Sequence, residues 1–260
     1  MLGAWVNAHP ADTEKEIELL IAAANANPDV VSAVIVGNET LLRKEVTGAH
    51  LATLIARVKS QVKVPVTYAD VWEFWLQHPQ VAPAVDFLTI HLLPYWEDDP
   101  QGIDEALAHV ADVRRVFGTR FAPKDILIGE TGWPSEGRQR ETAQPSRVNE
   151  ARFIRGFVAM AESNGWHYNL IEAFDQPWKR ANEGAVGGYW GRLRCRPAGQ
   201  GHTRRAGEQP ALLAAVVAGQ CRADGADADA CRAPCHPDGS HAAAVAGSVW
   251  GRLPGASGAS

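Results

Sequence analysis

Apolar residues recur along residues 1–190 in two alternating patterns, and together they predict a parallel α/β architecture. Short runs that are apolar on both faces stand at 2–6, 31–36, 64–68, 87–92, 126–128 and 170–174. A strand covered by helices on both sides reads this way, whereas a half-exposed antiparallel strand alternates. Between these runs the period changes to that of a helix. Asp12-Thr13-Glu14 opens the first helical segment, with Ile17, Leu20, Ile21 and Ala24 on one face. The segment 48–62 carries Leu51, Leu54, Ile55 and Val58 at helical spacing, and 103–117 and 147–163 follow in the same way. Strands alternating with helices over short connections give βα units around a parallel sheet.

A closed barrel of this type needs eight strands. Six are present, so the expected fold is α/β, an incomplete (β/α)8 TIM barrel. After Gly191 the composition changes: there is no Lys, Ile, Phe, Tyr, Asn or Met, the one aromatic residue is Trp250, and all four cysteines (Cys195, Cys221, Cys231, Cys235) fall there. The missing residue types are those with AT-rich codons, as expected of GC-rich DNA read out of frame. Residues 1–191 are therefore expected to form a partial barrel domain, and 192–260 a low-complexity, irregular tail. Its apolar run at 211–217 reads as a helix and adds no strand. Cys231, Cys235 and His236 are zinc-type donors, but their spacing offers no second pair, so no metal is expected.

Charge and apolar content narrow the function further. The chain of 260 residues is 46% hydrophobic, enough for a substantial core. A formal net charge of -5 and a pI near 6.0 leave no basic footprint for nucleic acid or an anionic membrane. No apolar run reaches membrane-spanning length, and Met1-Leu2-Gly3-Ala4-Trp5 lacks the charged and apolar regions of a signal peptide. No Gly-rich phosphate loop or clustered His/Asp set stands out, so no cofactor is expected. The pattern specifies no oligomeric state. A neutral ligand fits this balance.

Two glutamates carry the candidate chemistry. Val36-Gly37-Asn38-Glu39 and Ile128-Gly129-Glu130-Thr131-Gly132-Trp133-Pro134 each end an apolar strand run in a glutamate. In a parallel barrel the C-terminal strand ends converge on one cleft, where paired carboxyls can serve as acid/base and nucleophile. His91 also ends a strand run, where two readings stand: a donor to a sugar hydroxyl or to Glu130, or a partly buried histidine satisfied by backbone. Tyr95, Trp96, Trp133 and Trp178 follow strand ends, where aromatic faces can stack on sugar rings. His50, His78, His109 and His167 fall on helices or outer loops and are expected to face solvent.

These segments, together with Glu172-Ala173-Phe174-Asp175-Gln176-Pro177-Trp178-Lys179 and Gly187-Gly188-Tyr189-Trp190-Gly191, resemble glycoside hydrolase family 17. That is the family of β-1,3-glucanases and related glucanosyltransferases on a (β/α)8 barrel. The resemblance covers 1–191 and aligns the six strands with barrel strands three to eight. Its bacterial branch is the nearer match, because plant members carry Asn-x-Tyr-Pro where this chain has His91-Leu92-Leu93-Pro94-Tyr95-Trp96. The family continues Trp-Gly-Leu where this chain reads Trp190-Gly191-Arg192, so a truncated start and a frameshifted end are expected.

The resemblance implies Glu39 as the general acid/base, Glu130 as the nucleophile and Asn38 as the partner of the sugar 2-hydroxyl. It also implies Lys179 and Glu183 as ligands of sugar hydroxyls. The expected activity is that of a retaining glycosidase acting on β-1,3-glucan through a covalent glycosyl-enzyme. Transglycosylation by the same two glutamates is the alternative, and a non-catalytic remnant that retains glucan binding is another. A sheet of six strands is expected to hold its strand ends less firmly than a closed barrel and to turn β-1,3-glucan over poorly or not at all. The resemblance places such an enzyme in the cell envelope, the periplasm or outside the cell.

Overall fold

The computed structural model describes residues 1–193. Six strands, β1 (Leu2–Ala4), β2 (Val34–Asn38), β3 (Val66–Val71), β4 (Leu88–Leu92), β5 (Ile126–Thr131) and β6 (His167–Leu170), pair in sequence order. Every pairing is parallel. Helices α1 (Pro10–Ala26), α2 (Gly48–Lys59), α3 (Trp72–Gln77), α4 (Ile103–Arg120) and α5 (Arg147–Ser163) connect them, and a short α6 (Arg180–Glu183) follows β6. The result is the open arc of an incomplete (β/α)8 barrel. Among the described residues, β1 and β6 each pair on one side alone.

Local sequence sets the helix starts. The Thr47 hydroxyl accepts from the His50 amide at 3.2 Å to open α2, and the Ser146 hydroxyl accepts from the Asn149 amide at 3.0 Å to open α5. Each satisfies an amide that the first turn leaves without a carbonyl, a gain of about 1 kcal/mol. The predicted helical stripes are the buried ones: Ile17, Leu20 and Ala24 in α1, and Leu51, Leu54, Ile55 and Val58 in α2. They join Val34, Val36, Val66, Leu88, Ile90, Ile126 and Ile128 from the strands and Phe117, Phe153 and Phe157 from α4 and α5 in one continuous core. Ala33, Phe87 and Leu127 form a second, smaller cluster with Met1 packed on it.

Two features depart from the sequence pattern. The sixth strand lies at His167–Leu170 and not at 170–174; Phe174 instead makes an isolated parallel bridge to Leu193 and is 42% exposed. All four residues of β6 are half-buried, as suits an edge, so its polar His-Tyr-Asn composition hid it behind the more apolar stretch that follows. The second departure is α3 and the 3-10 segment Pro79–Ala84, which fill the β3 to β4 connection and bury Trp75 and Val81. The expectations for 211–217 and for Cys231, Cys235 and His236 lie outside the described residues.

Candidate active site

Two bulges bring the glutamates to the site. Between β2 and β3 the register steps from Ile35 opposite Thr67 to Asn38 opposite Ala69, so β2 carries one extra residue around Gly37, whose φ is 84°. Between β4 and β5 it steps from Ile90 opposite Ile128 to His91 opposite Glu130, which leaves Gly129 unopposed. Side chains alternate faces along a regular strand, and one extra residue reverses the alternation. Glu130 is thereby turned onto the face that His91 occupies.

Glu39 directly follows β2 in a left-handed conformation, φ 53°, which disfavours any residue with a Cβ by about 1–2 kcal/mol. Its surroundings hold it there. The Glu39 amide donates to the Ala69 carbonyl at 2.8 Å, and the Leu41 amide donates to the Tyr68 hydroxyl at 2.9 Å. Tyr68 in turn donates to the carboxylate of fully buried Asp70, which also accepts from the Val71 amide at 2.8 Å. Arg43 donates to the Asn38 carbonyl at 2.5 Å, pairs with Glu45 at 2.8 Å and lies 4.1 Å over the Trp5 ring. A strained residue persists where its neighbours over-determine it, and such residues concentrate at functional sites.

His91 is 1% exposed, with Nδ1 2.9 Å from Glu39 Oε1 and 3.8 Å from Glu130 Oε2. One carboxylate oxygen each of Glu39 and Glu130 and one imidazole nitrogen of His91 lie within 4.8 Å of one another. Burial acts to raise the pKa of Glu39, but the His91 hydrogen bond and the charges of His91, Arg43 and Lys179 hold it below the usual carboxylate range. For His91 burial acts downward, yet the charge of Glu130, the hydrogen bond and charge of Glu39, and Asp70 together push it up. The two carboxylates thus favour the charged imidazole, whose Nδ1 is within hydrogen-bond distance of Glu39 and faces Glu130 beyond it.

The other expected residues divide into cleft and core. Trp96, Tyr95 and Glu183 line a cavity of about 490 Å³ with Arg138, Arg140 and Val186. Trp96 is 37% exposed and stacks at 17° on Trp190, with ring centroids 6.2 Å apart. Tyr95 and Trp133, expected to face sugar rings, are each 1% exposed: the Tyr95 hydroxyl donates to the Arg138 carbonyl and Trp133 Nε1 to the Gln144 carbonyl. Trp133 packs on Phe153, a core role that its place after a strand end did not distinguish. Trp178 is open at 59%, with the Lys179 ammonium 5.8 Å from its ring. Lys179 Nζ pairs with Glu172 Oε1 at 2.5 Å, and the charge of Glu130 adds to those holding its pKa up against burial. Asn38, in β2, presents its carbonyl to Arg43.

Sequence reasoning did not single out Tyr68, Asp70, Arg43 or Glu172. The Tyr-Ala-Asp spacing in β3 was a signal for the first two, because it puts a hydroxyl and a carboxylate on the same strand face. His109 corrects an expectation of solvent exposure: its Nε2 lies 2.5 Å from Glu97 Oε2, and both side chains are largely covered. Nearby Glu73 is pushed up to about 7, chiefly by burial.

The chain has relatives and structural neighbours of known description. Residues 1–191 match the family profile of the BtgE/BtgC glycoside hydrolase domain. A glucan 1,3-beta-glucosidase of Schizosaccharomyces pombe is 30% identical over 209 residues, covering 74% of this chain and 64% of the relative. A glucan 1,3-beta-glucosidase of Arthroderma benhamiae is 28% identical over 208 residues, covering 74% and 67%. The chain thus spans about two thirds of the length of these two fungal relatives. An active-site mutant of Rhizomucor miehei beta-1,3-glucanosyltransferase in complex with laminaritriose aligns with a TM-score of 0.65 at 28% identity, over 73% of this chain and 70% of that one. An endo-laminarinase from Formosa shares the fold, with a TM-score of 0.63 at 22% identity over 75% and 65%. With its profile match running from the first strand to Gly191 and taking in both bulge glutamates, the chain belongs to the BtgE/BtgC glycoside hydrolases, within glycoside hydrolase family 17.

Proposed function

We propose that this protein is a retaining glycosidase acting on β-1,3-glucan, with Glu130 as nucleophile and Glu39 as general acid/base. The observation that carries this reading is the approach of the two carboxylates, one oxygen of each lying within 4.8 Å of the other beside the His91 ring. Retention requires carboxyl groups about 5–5.5 Å apart, whereas inversion needs about 6.5–9.5 Å to admit a water. Glu130 attacks the anomeric carbon as Glu39 protonates the departing oxygen. Glu39 then takes a proton from the acceptor that releases the sugar. Asn38, Lys179 and Glu183 bind sugar hydroxyls around this centre, and the open faces of Trp96 and Trp178 receive sugar rings. No helix among the described residues is long and apolar enough to cross a membrane, and the substrate places the activity in the envelope or outside the cell.

Water and a second sugar compete for the same covalent intermediate. The likeness to the Rhizomucor miehei glucanosyltransferase supports transfer as the second reading. The test combines trapping with product analysis. An activated 2-deoxy-2-fluoro β-glucosyl donor should add one glycosyl mass to Glu130, and laminari-oligosaccharides should give shorter products by hydrolysis or longer ones by transfer. Binding of laminarin with neither label nor product would establish a non-catalytic glucan binder instead.

A further inference from the structure

Glu39 as it stands is a poor acid. Its place beside an imidazolium and two further cations, Arg43 and Lys179, keeps it ionised at neutral pH, and a carboxylate has no proton to give a leaving group. The side-chain hydrogen-bond partner of its carboxylate is His91 Nδ1, 2.9 Å from Oε1, a nitrogen that carries a proton in the imidazolium. The same nitrogen lies 3.8 Å from Glu130 Oε2, the atom that the proposed reaction converts from an anion into an ester. Of the charges bearing on His91, that of Glu130 is the largest one favouring the cation, followed by Glu39 and then Asp70. Glu130 belongs to β5, Glu39 follows β2, and Asp70 belongs to β3. Lys179 and Glu183, from the segment after β6, act on the two glutamates.

We propose that His91 carries the catalytic proton: buried between the two carboxylates, it hands a proton to Glu39 as Glu130 is consumed by the glycosyl bond and takes it back as Glu130 is released. This rests on the assignment of Glu39 and Glu130 given above. The balance of the cycle is complete. In the first half the Nδ1 proton moves to Glu39 Oε1 and on to the glycosidic oxygen. Meanwhile the bond from that oxygen to the anomeric carbon breaks, and a bond from Glu130 Oε2 to the same carbon forms. His91 is then neutral, Glu39 is anionic and Glu130 is an ester. In the second half water or a sugar hydroxyl attacks the anomeric carbon, its proton passes to Glu39 and back to His91 Nδ1, and the carboxylate of Glu130 leaves. Esterification removes the anion that most favours the imidazolium, so the proton is released when it is needed and recovered when the anion returns. His91 touches no substrate atom in this scheme. It is a positioning residue that acts through Glu39.

The test uses the wild-type chain and one variant. Nitrogen-15 NMR of the histidine rings should show His91 as an imidazolium at pH 7 in the free protein, and as a neutral ring once Glu130 is trapped by the activated fluoro-glucosyl donor. A ring charged in both states, or neutral in both, would overturn the proposal. The variant His91→Asn keeps a donor near the position of Nδ1 and removes the titratable proton. It should lower kcat/KM on laminari-oligosaccharides by about 100-fold or more, the usual worth of general acid catalysis. Labelling by the activated donor, whose leaving group needs no proton, should stay within about five-fold of wild type. The basic limb of the kcat/KM profile should move down by about 2 pH units, because a carboxyl alone then holds the proton that a carboxyl and an imidazole shared. Equal losses on both substrates with an unmoved basic limb would reduce His91 to packing and sink the idea. Failure of wild type to label at Glu130 would instead remove the assignment of the nucleophile, and this proposal with it.

Discussion

Gly129 abuts the ring of His91: a Cβ on the glycine would lie 3.1 Å from Cδ2 and 3.2 Å from Nε2 of the imidazole. It would also lie 2.4 Å from the Thr89 methyl, closer than two carbons approach. The glycine therefore serves two ends. It is the unopposed residue whose bulge turns Glu130 toward the site, and it leaves room for the side chain that Glu130 faces.

Gly129→Ala should destabilise the fold by about 1–3 kcal/mol, the usual range for forcing an extra carbon into a packed site. The relief available is movement of Thr89 or of His91, so chemistry should suffer along with stability. Thermal unfolding and the rate of covalent labelling at Glu130 would check this. A variant with an unchanged melting temperature and unchanged labelling would show that β4 and β5 have slack the geometry denies.

The two glutamates should separate by leaving group. Glu130→Ala should bind laminari-oligosaccharide but form no glycosyl-enzyme with any donor. Glu39→Ala should still be labelled by a donor whose leaving group departs without a proton, while losing about 100-fold or more on natural glucan. Intact-protein mass and oligosaccharide product analysis report the two properties. Labelling of the Glu130→Ala chain at another residue would overturn the assignment.

How much of this was legible in the sequence depends on how local each cause is. Helix stripes such as Leu51, Leu54, Ile55 and Val58 were readable because burial follows a period within one segment. The glutamates stood out because each ends an apolar run after a glycine. What that glycine does was not visible, since a bulge is a relation between two strands and depends on the register with β3 or β4. The same limit hid β6, whose half-buried His-Tyr-Asn-Leu run became a strand only through pairing with β5. His91 was placed at a strand end, but its position between two carboxylates required all of β2, β4 and β5. Trp133 and Trp178 both follow strand ends; one is core and the other open, and residue type does not distinguish them.

Glu73 should tie stability to pH. Burial pushes its pKa from 4.5 up to about 7, with Glu97 and Asp98 adding to the rise and His109 opposing it. An acid with a raised folded pKa favours folding fully below its unfolded pKa and loses that contribution as pH rises through the folded value. Glu73→Gln mimics the protonated form. It should leave the melting temperature nearly unchanged at pH 5 and raise it relative to wild type at pH 8. Parallel melting curves across this range would mean that water reaches the carboxylate freely.

Tyr68→Phe should weaken the turn that presents Glu39, and do so more at high pH than at low. The hydroxyl accepts from the Leu41 amide and donates to buried Asp70, so its removal strands the Leu41 amide and leaves Asp70 with only the Leu42 and Val71 amides. Leaving a buried polar group unsatisfied costs about 1–3 kcal/mol. The pKa of Asp70 is already raised by burial, with the Tyr68 hydrogen bond the largest effect restraining it. Without that bond the folded pKa rises further, and the contribution tied to the protonated form is lost as pH climbs through it. The deficit in melting temperature should therefore be larger at pH 8 than at pH 5. Leu41 lies two residues beyond Glu39, whose left-handed backbone depends on this turn, so glucan turnover should fall about 10–100-fold through misplacement of the acid/base. Labelling of Glu130 by the activated donor should fall much less. A deficit that is equal at both pH values would show that Asp70 keeps its proton balance without Tyr68, and undiminished glucan turnover would show that the turn holds Glu39 by other means.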